Sequence, residues 1–135
     1  MSSELRACVI GCTGGWYQTI HHPSLQRLAG RVRLAAGTSR DAERRRKITE
    51  EMSFDKAYAD IDEMLDREKP DFVFISVKHT ETANMACKVL ERKIPVIMEK
   101  PVGKDPEDGR KVLAAAEAAG VPNMVAFNRR HNPFL

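Results

Sequence analysis

The chain has 135 residues, 42% of them hydrophobic and 30% charged, with a formal net charge of +3; that is one domain's worth of chain, able to bury a core without disulfides or metals. Acids and bases interleave, the one basic run (Arg44-Arg45-Arg46-Lys47) reads as a solvated helix face, and so no nucleic-acid-binding block is implied. Three cysteines, Cys8, Cys12 and Cys87, form no C-x-x-C pair, no apolar run reaches membrane-spanning length, and "MSSELR" lacks the apolar stretch of a secretory signal, which together predict a cytoplasmic protein with reduced thiols.

In chain order, Arg6–Ile10 reads as a buried strand ending at Gly11, and Tyr17–Ala29 as an amphipathic helix stopped by Gly30, starting late or bending at Pro23. Val32–Gly37 is a second strand and Asp41–Met52 a charged helix. Phe54–Tyr58 follows as a short strand, then a helix from the N-cap Asp60 to Glu68. Pro70 resets the chain before "DFVFISV" (Asp71–Val77), whose continuous apolar, β-branched character suits a central parallel strand. A helix over Thr80–Arg92, a strand over Ile94–Met98, a helix capped by Asp105 with Pro106 at its first position, and a strand over Val121–Phe127 complete the series.

This alternation predicts a Rossmann-type α/β fold across residues 1–135: a doubly wound parallel sheet in three α/β/α layers. Such sheets bind ligands at the carboxyl ends of their strands, so the turns after Ile10, Gly37, Val77, Met98 and Phe127 carry the function. In the first turn, "GCTGGWYQ", glycine backbone and a helix N-terminus suit a pyrophosphate. On the template G-x-G-x-x-G, Gly11 fits, while Thr13 and Trp16 replace the second and third glycines. On G-x-x-G-x-x-G, "GCTG" resembles the "GATG" of atypical short-chain dehydrogenases, and Tyr17 takes the last glycine position. Either way the final small residue is lost, which should push the helix out or shift its start.

After the second strand, "AAGTSRDAERRR" offers Thr38 or Ser39 and then Arg40 where NAD-binding proteins place an acid. A hydroxyl and a guanidinium suit a 2′-phosphate, with Arg44 one turn on to assist, so NADP is expected ahead of NAD. Asp41 reads better as a helix N-cap. At the end of the fifth strand, "MEKP" directs Lys100 into the ligand crevice, with Pro101 fixing the backbone. The adjacent His21-His22 pair has no Cys, Asp or Glu at ligand spacing, so no metal site is expected.

Taken together, the Gly-rich turn, "DEMLDREKPDFVFISV", "ANMACKVLERKIPVIMEKP", "AAAEAAGV" and "MVAFNRRHNP" resemble, in order, the N-terminal domain of the Gfo/Idh/MocA (glucose-fructose oxidoreductase / inositol dehydrogenase) family. The resemblance implies that Gly11, Thr13, Gly14 and Gly15 line the pyrophosphate, with Trp16 beside them. It implies that Ser39 and Arg40 meet the adenosine ribose or its phosphate. Val77, Lys78 and His79 match the family's turn near the nicotinamide ribose. Glu99, Lys100 and Pro101 would sit by the nicotinamide and substrate, with Lys100 as the catalytic residue and a cis bond before Pro101. Asn128 and Arg129 would border the same crevice. Lys78, where proline is usual, and Thr82, where many members have histidine, mark a divergent member.

The resemblance further implies an NAD(P)-dependent oxidoreductase that transfers hydride at a hydroxyl- or carbonyl-bearing carbon of a sugar, cyclitol or other small polar molecule. The family's C-terminal α/β substrate domain, which carries most of the substrate pocket, is not in these 135 residues. An alternative is a non-catalytic NADP-binding sensor or regulatory, partner-binding module on the same fold. The face that the second domain would cover, with "NPFL" near it, is expected to support homo-oligomers; neither nucleic acid nor membrane is an expected partner.

Overall fold

Six runs of apolar residues, each followed by a helix or a turn, assemble into one parallel sheet in the computed structural model, which describes residues 4–134. The opening tripeptide of "MSSELR" and Leu135, the end of "NPFL", lie outside the described residues. The strands are β1 (Leu5–Ile10), β2 (Val32–Thr38), β3 (Lys56–Tyr58), β4 (Phe72–Ile75), β5 (Val96–Met98) and β6 (Asn123–Val125), in the order β3-β2-β1-β4-β5-β6. Between them run α1 (His22–Gln26), α2 (Ala42–Glu50), α3 (Ile61–Glu68), α4 (His79–Glu91) and α5 (Pro106–Ala119). This is the doubly wound Rossmann arrangement, with the order reversing beside β1.

Strand β1 shows why the central runs are apolar throughout. Successive side chains point to opposite faces, so Cys8 and Ile10 join the layer packed by α3, α4 and α5, while Ala7 and Val9 join the other layer with Leu25 and Ile48. All four are fully buried or nearly so. Burying each larger apolar side chain contributes about 1.5–3 kcal/mol. Helix starts follow local chemistry: Asp41, Asp60 and Asp105 accept the N–H groups of Arg44, Glu63 and Asp108, each cap worth about 1 kcal/mol.

Five expectations are corrected. β4 stops at Ile75 and β6 covers only Asn123–Val125, because pairing with β5 ends there. The third strand begins at Lys56; Phe54 is buried in the preceding loop, and the Asp55 N–H bonds the Leu34 carbonyl. Helix α4 begins at His79. The helix expected over Tyr17–Ala29 opens instead as a π-helical turn, Tyr17–His21, in which the His22 N–H reaches the Tyr17 carbonyl.

The side chain of Tyr17 accounts for that wide turn. Its ring lies in the core with centroids 6.0 Å from Phe74 and 5.8 Å from His22. Regular helix resumes around Pro23, which lies in the first turn of α1 where no N–H is needed. It ends at Gln26, and residues 27–30 form a turn with Gly30 left-handed. A bulky residue in place of the last glycine thus reshapes the helix start.

Candidate cofactor cleft

The carboxyl ends of β1, β4 and β5 open onto a cleft of about 570 Å³, within the range of small-molecule sites. Gly11, Thr13, Gly14, Gly15 and Trp16 line one side, and Ser76, Val77, Lys78, Glu99 and Lys100 the other, with Arg44 and Glu81 at the rim. Gly11 has φ +87°, and a Cβ there would lie 2.1 Å from the Ser76 carbonyl oxygen, so the β1 and β4 ends meet only because the side chain is missing. A Cβ on Gly15 would meet nothing within 4 Å. The first intrahelical bond joins the Gln18 N–H to the Gly14 carbonyl, so the N–H groups of Gly15, Trp16 and Tyr17 precede the helix ladder, an anion-seeking end.

Beneath the loop, Cys12 fills the space left by Gly37, where a Cβ would lie 2.7 Å from its Sγ. Its thiol donates to the Thr38 carbonyl at 3.7 Å. Burial pushes this thiol up to about 12, outweighing the backbone hydrogen bonds that lower it. Cys12 therefore packs as a small apolar group that ties the first turn to the second.

A smaller recess adjoins the cleft, sharing Gly11, Val77 and Glu81 with it and adding Thr38, Ser39, Arg40 and Met85. Its loop is stapled by Arg45, whose Nη1 donates to the Ser39 and Arg40 carbonyls at 2.9 and 2.8 Å. The Ser39 hydroxyl accepts the Asp41 N–H. Among the described residues no carboxylate pairs with the side chains of Arg40 or Arg44, leaving two guanidinium groups beside the recess and the cleft.

At the end of β5 the Glu99 N–H bonds the Ile75 carbonyl. Glu99 is 8% exposed. Its Oε1 accepts Trp16 Nε1–H at 3.1 Å and lies 2.5 Å from His21 Nε2, while Oε2 accepts the Lys100 N–H at 3.0 Å. The contact to an acceptor oxygen places a hydrogen on His21 Nε2. Lys100 is exposed to the cleft, and the Lys100–Pro101 bond is cis.

Of the residues singled out by sequence, Gly11, Thr13, Gly14, Gly15, Trp16, Val77, Glu99 and Lys100 share the cleft, and Ser39 and Arg40 share the recess. His79, Pro101, Asn128 and Arg129 are not among the residues lining either space. His79 opens α4, and Asn128 and Arg129 sit in an exposed 3₁₀ turn, Asn128–His131. Sequence reasoning missed the role of His21, whose partner is brought up by the tertiary fold, and of Arg45, whose partners are backbone carbonyls of the preceding loop that carry no side-chain signal.

A family model described as "Oxidoreductase family, NAD-binding Rossmann fold" matches residues 5–127. The chain belongs to the Gfo/Idh/MocA family. A D-apiose dehydrogenase of Paraburkholderia graminis is 29% identical over 98% of this chain and 34% of its own length. An inositol 2-dehydrogenase of an Arthrobacter species is 32% identical over 96% of this chain and 38% of its own. Among solved structures, the WlbA dehydrogenase of Bordetella pertussis, in complex with NADH and UDP-GlcNAcA, superposes with a TM-score of 0.87 at 21% identity, over 96% of this chain and 38% of its own. The chain thus spans little more than a third of the length of these Gfo/Idh/MocA relatives, and it carries their oxidoreductase NAD-binding fold. Among the described residues no helix is long and apolar enough to cross a membrane.

Proposed function

We propose that this chain binds NADP(H) in preference to NAD(H) and forms the cofactor half of an oxidoreductase acting on a sugar, cyclitol or similar polyol. The observation that carries the reading is the pair of unpaired guanidinium groups, Arg40 and Arg44, where an NAD-specific site would hold a carboxylate. The cleft fits a dinucleotide by its donor set: a helix N-terminus over Gly15–Tyr17, the cations Lys78 and Lys100, and a backbone bared at Gly11.

When bound, the nicotinamide supplies hydride chemistry. The residues of this chain do the rest. Gly15 and Trp16, whose N–H groups precede the helix ladder, present them to the pyrophosphate, while the Gly14 N–H closes the turn on the Gly11 carbonyl. Ser39 and Arg40 hold the adenosine ribose and its 2′-phosphate, with Arg44 alongside. Lys100 orients and polarises the substrate oxygen through its ammonium group. The relatives bearing sugar and inositol names support the substrate class.

Titration with NADPH and NADH, followed by turnover of polyols and sugars, tests the reading. NADPH should bind at least tenfold tighter than NADH, about 1.4 kcal/mol. Arg40→Ala should abolish most of that difference. Equal or tighter NADH binding by the unaltered chain would sink the preference.

A further inference from the structure

We propose that His21 and Trp16 are positioning residues that hold the Glu99 carboxylate off the Lys100 ammonium, so that this ammonium stays free for an anionic or oxygen-bearing ligand group. The inference rests on the reading that Lys100 meets a ligand in the cleft.

Glu99 is a buried carboxylate one residue from a lysine, and opposite charges so placed attract strongly in a partly desolvated site. Yet among the described residues no side-chain bond joins them. Both carboxylate oxygens are taken by N–H donors instead: Oε1 by His21 and Trp16, Oε2 by the Lys100 backbone. A buried carboxylate is thereby satisfied without using the cleft's cation.

The π-helical turn makes this possible. Residues five apart on a regular α-helix lie about 140° apart around its axis. Trp16 caps the wide turn, His21 is its last residue, and the two converge on one oxygen atom. His21 is braced from behind by Phe74, with ring centroids 4.6 Å apart, and by Tyr17 at 6.4 Å. Trp16 is 53% exposed, so its indole serves the carboxylate at its edge and the open cleft elsewhere. The bulky pair that spoils the glycine fingerprint therefore has a job: Tyr17 builds the turn, and Trp16 uses it.

The test uses His21→Phe, which keeps a ring against Phe74 and removes the donor. Two readouts are taken on the whole chain: the NADPH dissociation constant, and the rate at which acetic anhydride acylates Lys100, followed by mass spectrometry. Once freed, Glu99 pairs with Lys100, so acylation should slow and NADPH binding should weaken, each about tenfold. Adding Glu99→Gln to His21→Phe should restore the acylation rate, and His21→Gln, whose amide reaches the same oxygen, should be acylated at close to the rate of the unaltered chain. A purely structural role for His21 would not be relieved by Glu99→Gln.

Should His21→Phe fail to fold, Trp16→Phe at its exposed position decides on the same readouts, with an expected loss of about threefold for a single shared donor. Unchanged acylation in the folded variants, or a loss that Glu99→Gln does not relieve, overturns the inference. If the unaltered chain binds neither NADPH nor NADH, the proposed function falls, while the acylation rates still judge the clamp.

Discussion

Two buried glutamates occupy different regions of this molecule, and their partners differ in kind. Glu68, at the end of α3, is 6% exposed and is held by two cations and a hydroxyl: Arg6 Nη2 at 2.7 Å, Lys56 Nζ at 2.9 Å, and the Tyr58 hydroxyl at 2.5 Å. Glu99, at the cleft, is held by an imidazole, an indole and a backbone amide. Where no ligand is served, the fold uses cations to satisfy a carboxylate. Beside the cleft it uses ring and backbone N–H groups and leaves Lys100 apart from the carboxylate.

The most forceful way to break the comparison is Glu68→Gln. It removes charge-assisted hydrogen bonds at a buried position, for an expected loss of about 2 kcal/mol. By calorimetry that should lower Tm by roughly 8 °C in a domain of this size. NADPH affinity, measured well below the melt, should not change. Glu99→Gln keeps an acceptor for Trp16 and should cost less than about 1 kcal/mol. A Tm fall as large as that of Glu68→Gln would mean that both glutamates are chiefly structural.

Acid sharpens the contrast. Burial pushes the Glu68 carboxyl up, but the hydrogen bonds from Tyr58 and Lys56 and the charges of Lys56 and Arg6 outweigh it, and it ends below the usual 4.5. The same contact, with burial and the glutamate's charge, holds the Tyr58 hydroxyl up at about 12. A depressed folded-state value means stability that is complete above pH 4.5 and lost as pH falls through the folded value. Denaturation curves between pH 6 and pH 3 should therefore steepen below 4.5 in the unaltered chain and flatten in Glu68→Gln.

A smaller effect comes from His22, stacked on Phe54 and pushed below its ordinary 6.5 by burial. The unfolded chain binds this proton first, so stability should begin to fall as pH drops below about 6.5. His22→Phe should remove that shallow slope, leaving the Glu68 transition in place. A slope that persists in His22→Phe would assign it to another group.

The same contrast separates what was legible in the sequence from what was not. The alternation of strands and helices, the three aspartate caps and the Gly11 turn follow from short-range patterns: β-branched runs, Asp before a helix, glycine after a strand. Glu99 and Lys100 were marked by "MEKP" and lie in the cleft, and Ser39 and Arg40 lie beside it. The clamp was hidden, because His21 and Glu99 are 78 positions apart and meet only once Tyr17 is buried and the first turn widens. His21 was weighed only as one of a histidine pair; its partner was a carboxylate just past the end of β5. Strand ends were also misjudged, since Ser76 and Val77 are apolar enough or small enough to continue β4, but pairing with β5 stops first.

The clearances around the glycines describe how freely this loop could drift. A library saturating positions 11–16 and selected for folding should return glycine alone at 11, where both the left-handed backbone and the Ser76 carbonyl reject a side chain. Position 14, with 3.4 Å to the Gly11 carbonyl, should accept alanine and little larger. Position 15 faces open space and should accept nearly anything. A motif that looks uniform in letters is thus three positions under three different constraints, and only the first is fixed by the fold itself.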